Sequence, residues 1–547
     1  MNELPKLKNV KNKTKKYIYS FGGINRSEYY VTGELETSEN ISFDSYPAIS
    51  AGRERESAES IFSPAYDYLP AGGGLVTLKY SEETGLNIAY IEEKEDPGRV
   101  SSWDFADKEP GKRAAASLGK NVVLFPDKMC CDITRDVYFK DIERTLDIDD
   151  GDARILAEGA IRFLDSAKYT DFKSLFKVGD VISILGGWWD GNETGGDIDD
   201  EAKFIIRELD NDNHTVRFDP NCFDVGEGSG YVMFETTFKK TAPDLINVCS
   251  YDGRVWGYDE DGIIYASKYQ DPTNFEYFDA SSADSYTLET ETTGAFTAIC
   301  GAEGHIAFFK EDKIHRITGT KPSNFRHTVI YTNGVKKGAE KTVCLKNGLI
   351  YYMGTDGIYV YGGAEAERIS DGLGDLDFAD GAAVFYKDVY YISIKSSDGS
   401  TSLYAYDTGK GIWIKDGDEY FKTAFTFLSK PHFQKENGEV KIFADGVDET
   451  RKASFTLRAL SENDSEQKGW SRLFVNVKLK KGDTLKVEAD YGFGFEPCGV
   501  FTDFKKQVFE IRLAPRRADE IKLRLTFGPG SAVKKLMREY FVHGSVF

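Results

Sequence analysis

The sequence predicts an all-β protein. The expected architecture is a β-propeller of about six to seven blades, with an inserted small β-barrel domain and a C-terminal antiparallel β-sandwich. Three observations predict it. The 547 residues are rich in Phe (37), Tyr (31) and Gly (53), the composition of many short strands joined by tight turns. A phrase of apolar strand, tight acidic turn and second strand recurs along the chain. Its later copies begin at Gly253, Gly304, Gly348 and Asp388, at intervals of 51, 44 and 40 residues, the length of one four-stranded blade. One hairpin alone leaves an apolar face uncovered. Stacking blades around an axis buries those faces, which explains the recurrence.

Taken in order, residues 1–56 are a lead-in that opens with a lysine-rich arm. Lys6, Lys8, Lys11, Lys13, Lys15 and Lys16 fall within eleven residues. Such a stretch reads either as a solvated end or as an arm that docks on an acidic partner. It lacks the apolar run of a secretory signal. The first part of the propeller is expected over 57–137, with hairpins at 75–80/86–91 and 121–125/129–133. The phrase lapses over 138–240. There the stretches 172–180, 181–184, 204–209 and 215–218, separated by a polar loop over 186–200 and a turn over 210–213, read as short strands and turns of a small inserted barrel. The insert is acidic and is expected to project into solvent.

The propeller resumes over 241–445, in the hairpins that follow Gly253, Gly304, Gly348 and Asp388. From 446 to 547 the pattern becomes a clean alternation of apolar residues with Lys, Arg and Glu over 473–479, 485–489, 507–513 and 520–527. That is the mark of strands with one face buried and one wet. Over 532–542 the same alternation predicts a last strand.

Several classes are excluded. No apolar run reaches the roughly 18 residues of a membrane-spanning helix, so no membrane partner is expected. With 69 basic and 90 acidic residues the net charge is −21, which repels phosphate and argues against sequence-independent DNA binding. Seven cysteines, an odd number with no CxxC pair, read as small buried hydrophobes in a reduced protein.

The chemistry-bearing residues form no recognisable centre. The six histidines make no HxxxH or HExxH pattern, although His305 and His315 lie in one hairpin and are placed to meet across it. Asp147, Asp149, Asp150 and Asp152 have the composition of a calcium loop without EF-hand spacing, and Asp197, Asp199, Asp200 and Glu201 form a second acidic cluster. There is no P-loop and no GxSxG elbow, and Gly492-Phe493-Gly494 lacks a following helix. Trp188 and Trp189 are candidates for stacking on sugars or for a buried or interface role. No catalytic residue, metal ligand or cofactor-binding residue is assigned, no cofactor is expected, and the chain is not expected to be an enzyme.

Four stretches together resemble a known family. They are Phe21-Gly22-Gly23-Ile24-Asn25 leading through Tyr46-Pro47 to Arg53-Glu54-Arg55; Ala266-Ser267 followed by Asp271-Pro272-Thr273-Asn274-Phe275; Phe176-Lys177-Val178-Gly179-Asp180; and Ala514-Pro515-Arg516-Arg517 followed by Gly528-Pro529-Gly530 and Val542-His543-Gly544-Ser545. With a propeller between them, these stretches make the sequence resemble the tail nozzle or tail-hub (stabilisation-type) virion proteins of tailed bacteriophages.

The resemblance implies a structural protein of the virion tail, made in the cytoplasm of the host bacterium. It would form a homo-oligomeric ring, a hexamer, between portal- or adaptor-side and distal tail or fibre proteins. DNA would only pass through during ejection, without specific binding, and part of the negative charge would face that channel. Two other readings remain open at this level. One is a receptor- or glycan-binding propeller of the tail, with Trp188 and Trp189 as contacts. The other is a propeller glycosidase or lyase, which requires convergent carboxylates.

Overall fold

A computed structural model describes residues 13–58, 65, 67–92, 100–105, 108–134, 138–156, 158–190, 195–220, 222–223, 230–447, 451–462, 466–514 and 516–542. The chain is all-β, with one α-helix among the described residues, and no helix there is long and apolar enough to cross a membrane. It divides into two compact units, Ala65–Thr332 and Met1–Pro64 with Asn333–Phe547.

The unit Ala65–Thr332 contains four antiparallel sheets of four strands, each a simple meander. They begin with Asp67–Ala71, Ala114–Leu118, Asn247–Tyr251 and Ala298–Ala302. The second strands of the last three, Asn121–Phe125, Arg254–Tyr258 and His305–Phe309, are almost wholly buried. Both of their faces are covered, which is why they read as unbroken apolar runs. Alternate residues serve opposite neighbours. Val122 and Leu124 pack with Leu78 and Ile88 of the preceding sheet, whereas Val123 and Phe125 pack with Leu245 and Val255 of the following one. Trp256 and Tyr258 continue the series onto Ile306 and Phe308. The turns follow the local chemistry. Asp252 and Gly253 both have positive φ, as a two-residue hairpin turn of the primed type requires, and a Cβ on Gly253 would lie 2.4 Å from the Tyr269 ring.

The second of these sheets ends with Lys140–Asp141, so the inserted segment starts at Arg144 rather than at 138. The insert is one nine-stranded sheet built around two long strands, Val181–Trp189 and Tyr231–Lys240. Two local expectations are corrected. Residues 172–175, expected in a strand and turn over 172–180, are the last part of an α-helix, Ser166–Leu175. Asp165 caps it by accepting a hydrogen bond from the Ala167 N–H at 2.8 Å, and Tyr169, Phe172 and Phe176 bury one stripe against Phe163 and Phe238. The expected loop over 186–200 is instead a hairpin, Val181–Trp189 with Gly195–Asp197.

In the unit Met1–Pro64 with Asn333–Phe547, three more four-stranded sheets begin with Cys344–Lys346, Asp380–Tyr386 and Thr423–Phe427. The total is seven among the described residues. The hairpin pattern had not marked the last one. Its fourth strand is Arg53–Ser57, which pairs with Val440–Val447 from almost 400 residues away. Arg55 holds that strand through ion pairs to the buried Asp416 and to Glu419.

The remaining strands form a five-stranded and a seven-stranded antiparallel sheet. Lys468–Lys478, Leu485–Asp490, Val508–Arg512, Lys522–Phe527 and Ala532–Val542 carry the expected alternation, and Phe501 of one sheet meets Phe509 of the other at 5.2 Å. The lead-in is not a separate segment over 1–56, because its strands are members of these sheets. Thr14–Ile18 pairs with Ala532–Val542, and Leu35–Glu39 pairs with Ala453–Leu457.

Candidate functional site

In the insert, the strand Val181–Trp189 is irregular just before it turns back on Gly195–Asp197. Gly186 has φ +125°, and the register against Tyr231–Lys240 shifts between Leu185 and Gly187. This β-bulge re-aims the two tryptophans. Being consecutive in a strand, they face opposite ways. Trp189 points outward and is 48% exposed. Trp188 is half-buried, edge-on to Tyr231 at 4.9 Å, and faces Gly196, where a Cβ would come within 3.3 Å of the indole.

Trp188 thereby forms one wall of a cleft of about 380 Å³. Phe204 and Phe223, stacked at 5.0 Å, line it with Ile198 and Ala202. Asp197 and Asp199, both exposed, stand at its rim. A tight turn fixes Asp199, whose carboxylate accepts from the Glu201 N–H at 3.0 Å while its carbonyl accepts from the Ala202 N–H at 3.1 Å. The Cys222 thiol also lines the cleft, and burial pushes its pKa up to about 11, so it stays protonated and a poor nucleophile at neutral pH.

The insert is fastened to the sheet that follows it by a polar latch. Lys240 and Asp180, 2% and 0% exposed, are paired at 2.6 Å, and the second Asp180 oxygen accepts from the Lys177 N–H at 3.0 Å. Lys240 Nζ also lies 3.3 Å from Thr273 Oγ1. Asn274 donates to the Gly179 carbonyl at 2.8 Å, and Lys177 lies 3.5 Å from Asp271. Further out, Arg207 bridges Asp219 and Asp279, and Lys203 pairs with Glu276. The Phe176–Asp180 and Asp271–Phe275 phrases singled out in the sequence therefore meet here, in a joint rather than in a reaction centre.

The other sequence candidates are placed as follows. Lys6, Lys8 and Lys11 lie outside the described residues, as do Pro515 and His543-Gly544-Ser545. Lys13 pairs with Glu539 at 3.0 Å, and Lys15 and Lys16 sit in the strand Thr14–Ile18, so this half of the lysine series is part of a sheet rather than a free arm. His305 and His315 do not meet. In register, His315 lies opposite Phe308, and it turns instead to His327 of the next strand, with Nδ1 and Nε2 2.9 Å apart and the rings stacked. Side-chain direction, which hairpin spacing does not report, decides that choice.

Among the described residues no group of three His, Cys, Asp or Glu side chains is placed to hold a metal ion, and the 147–152 and 197–201 clusters supply none. The pairing of Arg53–Ser57 with Val440–Val447 has no signal in the local pattern, because the two strands are remote in sequence.

Comparison with protein-family models and with curated proteins returned no match. Among solved structures the chain is similar to a computationally designed protein, Ika8, at 12% identity over 72% of this chain and 99% of that one, with a TM-score of 0.33. It is similar to U3-55K at 10% identity over 72% and 99%, with a TM-score of 0.34. It is similar to an exo-β-1,3-galactanase from Phanerochaete chrysosporium at 8% identity over 53% and 94%, with a TM-score of 0.21.

Proposed function

We propose that this chain is a structural component of a bacteriophage tail, of the nozzle or tail-hub kind, that assembles as a homo-oligomeric ring and continues the DNA channel. In this reading the seven four-stranded sheets are the blades of one propeller, and Arg53–Ser57 is the strand that closes it. The two C-terminal sheets and the insert offer attachment surfaces to the neighbouring tail proteins.

The observation that carries the reading is how the chain uses its interior polar groups. The Arg55–Asp416–Glu419 set and the Lys240–Asp180–Thr273 set tie together segments distant in sequence, and such satisfied polar networks stiffen a frame. A chain with 21 excess negative charges also suits a conduit that must not hold DNA.

The test is negative-stain imaging and native mass measurement of the purified full-length chain. Rings with a central hole and one mass corresponding to several copies are expected. A monomer at all concentrations up to those in an assembling virion overturns the reading.

A further inference from the structure

We propose that the cleft of the insert, between Trp188, Phe204 and Phe223 and beneath Asp197 and Asp199, binds an alkylammonium group. Its volume of about 380 Å³ falls within the range of small-ligand sites. Three aromatic rings line it, and ring faces carry negative charge density that attracts cations. The two carboxylates at the rim have the same sign. Among the described residues no Lys, Arg or His is ion-paired with either of them, although most acidic groups around the latch are paired.

The donor inventory selects the ligand class. Of the side chains lining the cleft, only the Trp188 indole N–H and the protonated, weakly donating Cys222 thiol can donate a hydrogen bond. A saccharide presents hydroxyl and ring oxygens that need donors as well as acceptors. An ammonium needs only acceptors and π faces, which are what this cleft supplies. The methyl or methylene groups next to the nitrogen would cover Ile198 and Ala202. The bulge at Gly186 and the bare backbone of Gly196 place Trp188 against the cleft, so the aromatic wall is built into the strand.

Two sources share this chemistry: a quaternary ammonium headgroup and the lysine side chain of a partner protein. Binding to the full chain is followed by tryptophan fluorescence and saturation-transfer NMR, at constant ionic strength. The probes are choline, N-acetyl-lysine methylamide, the neutral isostere 3,3-dimethylbutanol, and galactose. Choline or the lysine amide is expected to bind, with the stronger of the two identifying the source, and the isostere is expected to bind at least about tenfold more weakly.

The double variant Asp197→Asn/Asp199→Asn, altered only at exposed side chains, should lose about tenfold or more in affinity. Asp200→Asn/Glu201→Gln, with the same change in net charge beside the cleft, should not. Equal binding of the isostere, preferred binding of galactose, equal losses in the two double variants, or no binding of either cation would overturn the proposal. None of these results depends on whether the chain forms rings.

Discussion

Replacing Asp180 by alanine leaves the Lys240 ammonium, 2% exposed, without its carboxylate. Breaking a buried ion pair from one side costs about 3–5 kcal/mol, because an uncompensated charge remains. The structure sets an upper limit on that cost. Lys240 can escape by folding as the neutral amine, and burial already lowers its pKa against the pull of Asp180. Neutralisation at pH 7 spans the 3.5 units up to the ordinary lysine value of 10.5, or about 5 kcal/mol at ~1.4 kcal/mol per unit.

Along that route the unfolded state holds one proton more than the native state. The penalty must therefore shrink as pH rises, to about 2 kcal/mol at most at pH 9, where only 1.5 units remain. The assay is hydrogen exchange of residues 177–185 and 268–275, corrected for intrinsic rates, in D180A, K240M and D180A/K240M. Protection in D180A should fall by roughly two to four orders of magnitude at pH 7. Much of it should return in the double variant, where no charge is orphaned. A loss that persists in D180A/K240M, or one indifferent to pH between 7 and 9, refutes the account of the latch.

Three further outcomes are expected. Arg55→Met strands the buried Asp416 and should cost about 3–5 kcal/mol, read as a lowered urea midpoint and as early proteolytic release of the lead-in segment. Between pH 6.5 and 4.5 stability should fall as pH falls. Burial holds His315 down to about 3 and His432 to about 4, so the unfolded chain takes up protons that the native chain refuses, at about 1.4 kcal/mol per pH unit for each. His432→Phe should flatten that slope in pH-dependent denaturation, and an unchanged slope would contradict the assignment. In the insert, Phe172→Ala should cost about 3–5 kcal/mol and Asp165→Ala about 1 kcal/mol, so thermal unfolding should separate the core stripe from the cap.

Much of this organisation is local and was therefore legible. Hairpins with a turn such as Asp252-Gly253 or Asn347-Gly348 state their own pairing, because two residues of positive φ leave the flanking strands one register. The alternation over 473–542 fixed the buried faces of the C-terminal strands by the period of the pleat alone. The C-terminal part of the helix Ser166–Leu175 was not legible because Phe172 and Phe176, the aromatics of 172–180, also fit a strand and turn. Tertiary packing on Phe163 and Phe238 selects the helix.

The candidate site was half legible. Trp188 and Trp189 were conspicuous in the sequence, but Phe204, Phe223 and Asp199 enter the cleft only through a bulge and a turn that position them.

The sequence by itself determined the secondary-structure class, the four-strand period and the sign of the surface charge, since each follows from composition and from contacts between near neighbours. Only the tertiary structure decided which remote partners meet: Arg53–Ser57 with Val440–Val447, Thr14–Ile18 with Ala532–Val542, Asp180 with Lys240, and His315 with His327. Such pairings depend on which edge or buried charge is left uncovered once the local sheets have formed. That is a property of the packed chain and not of any stretch of it.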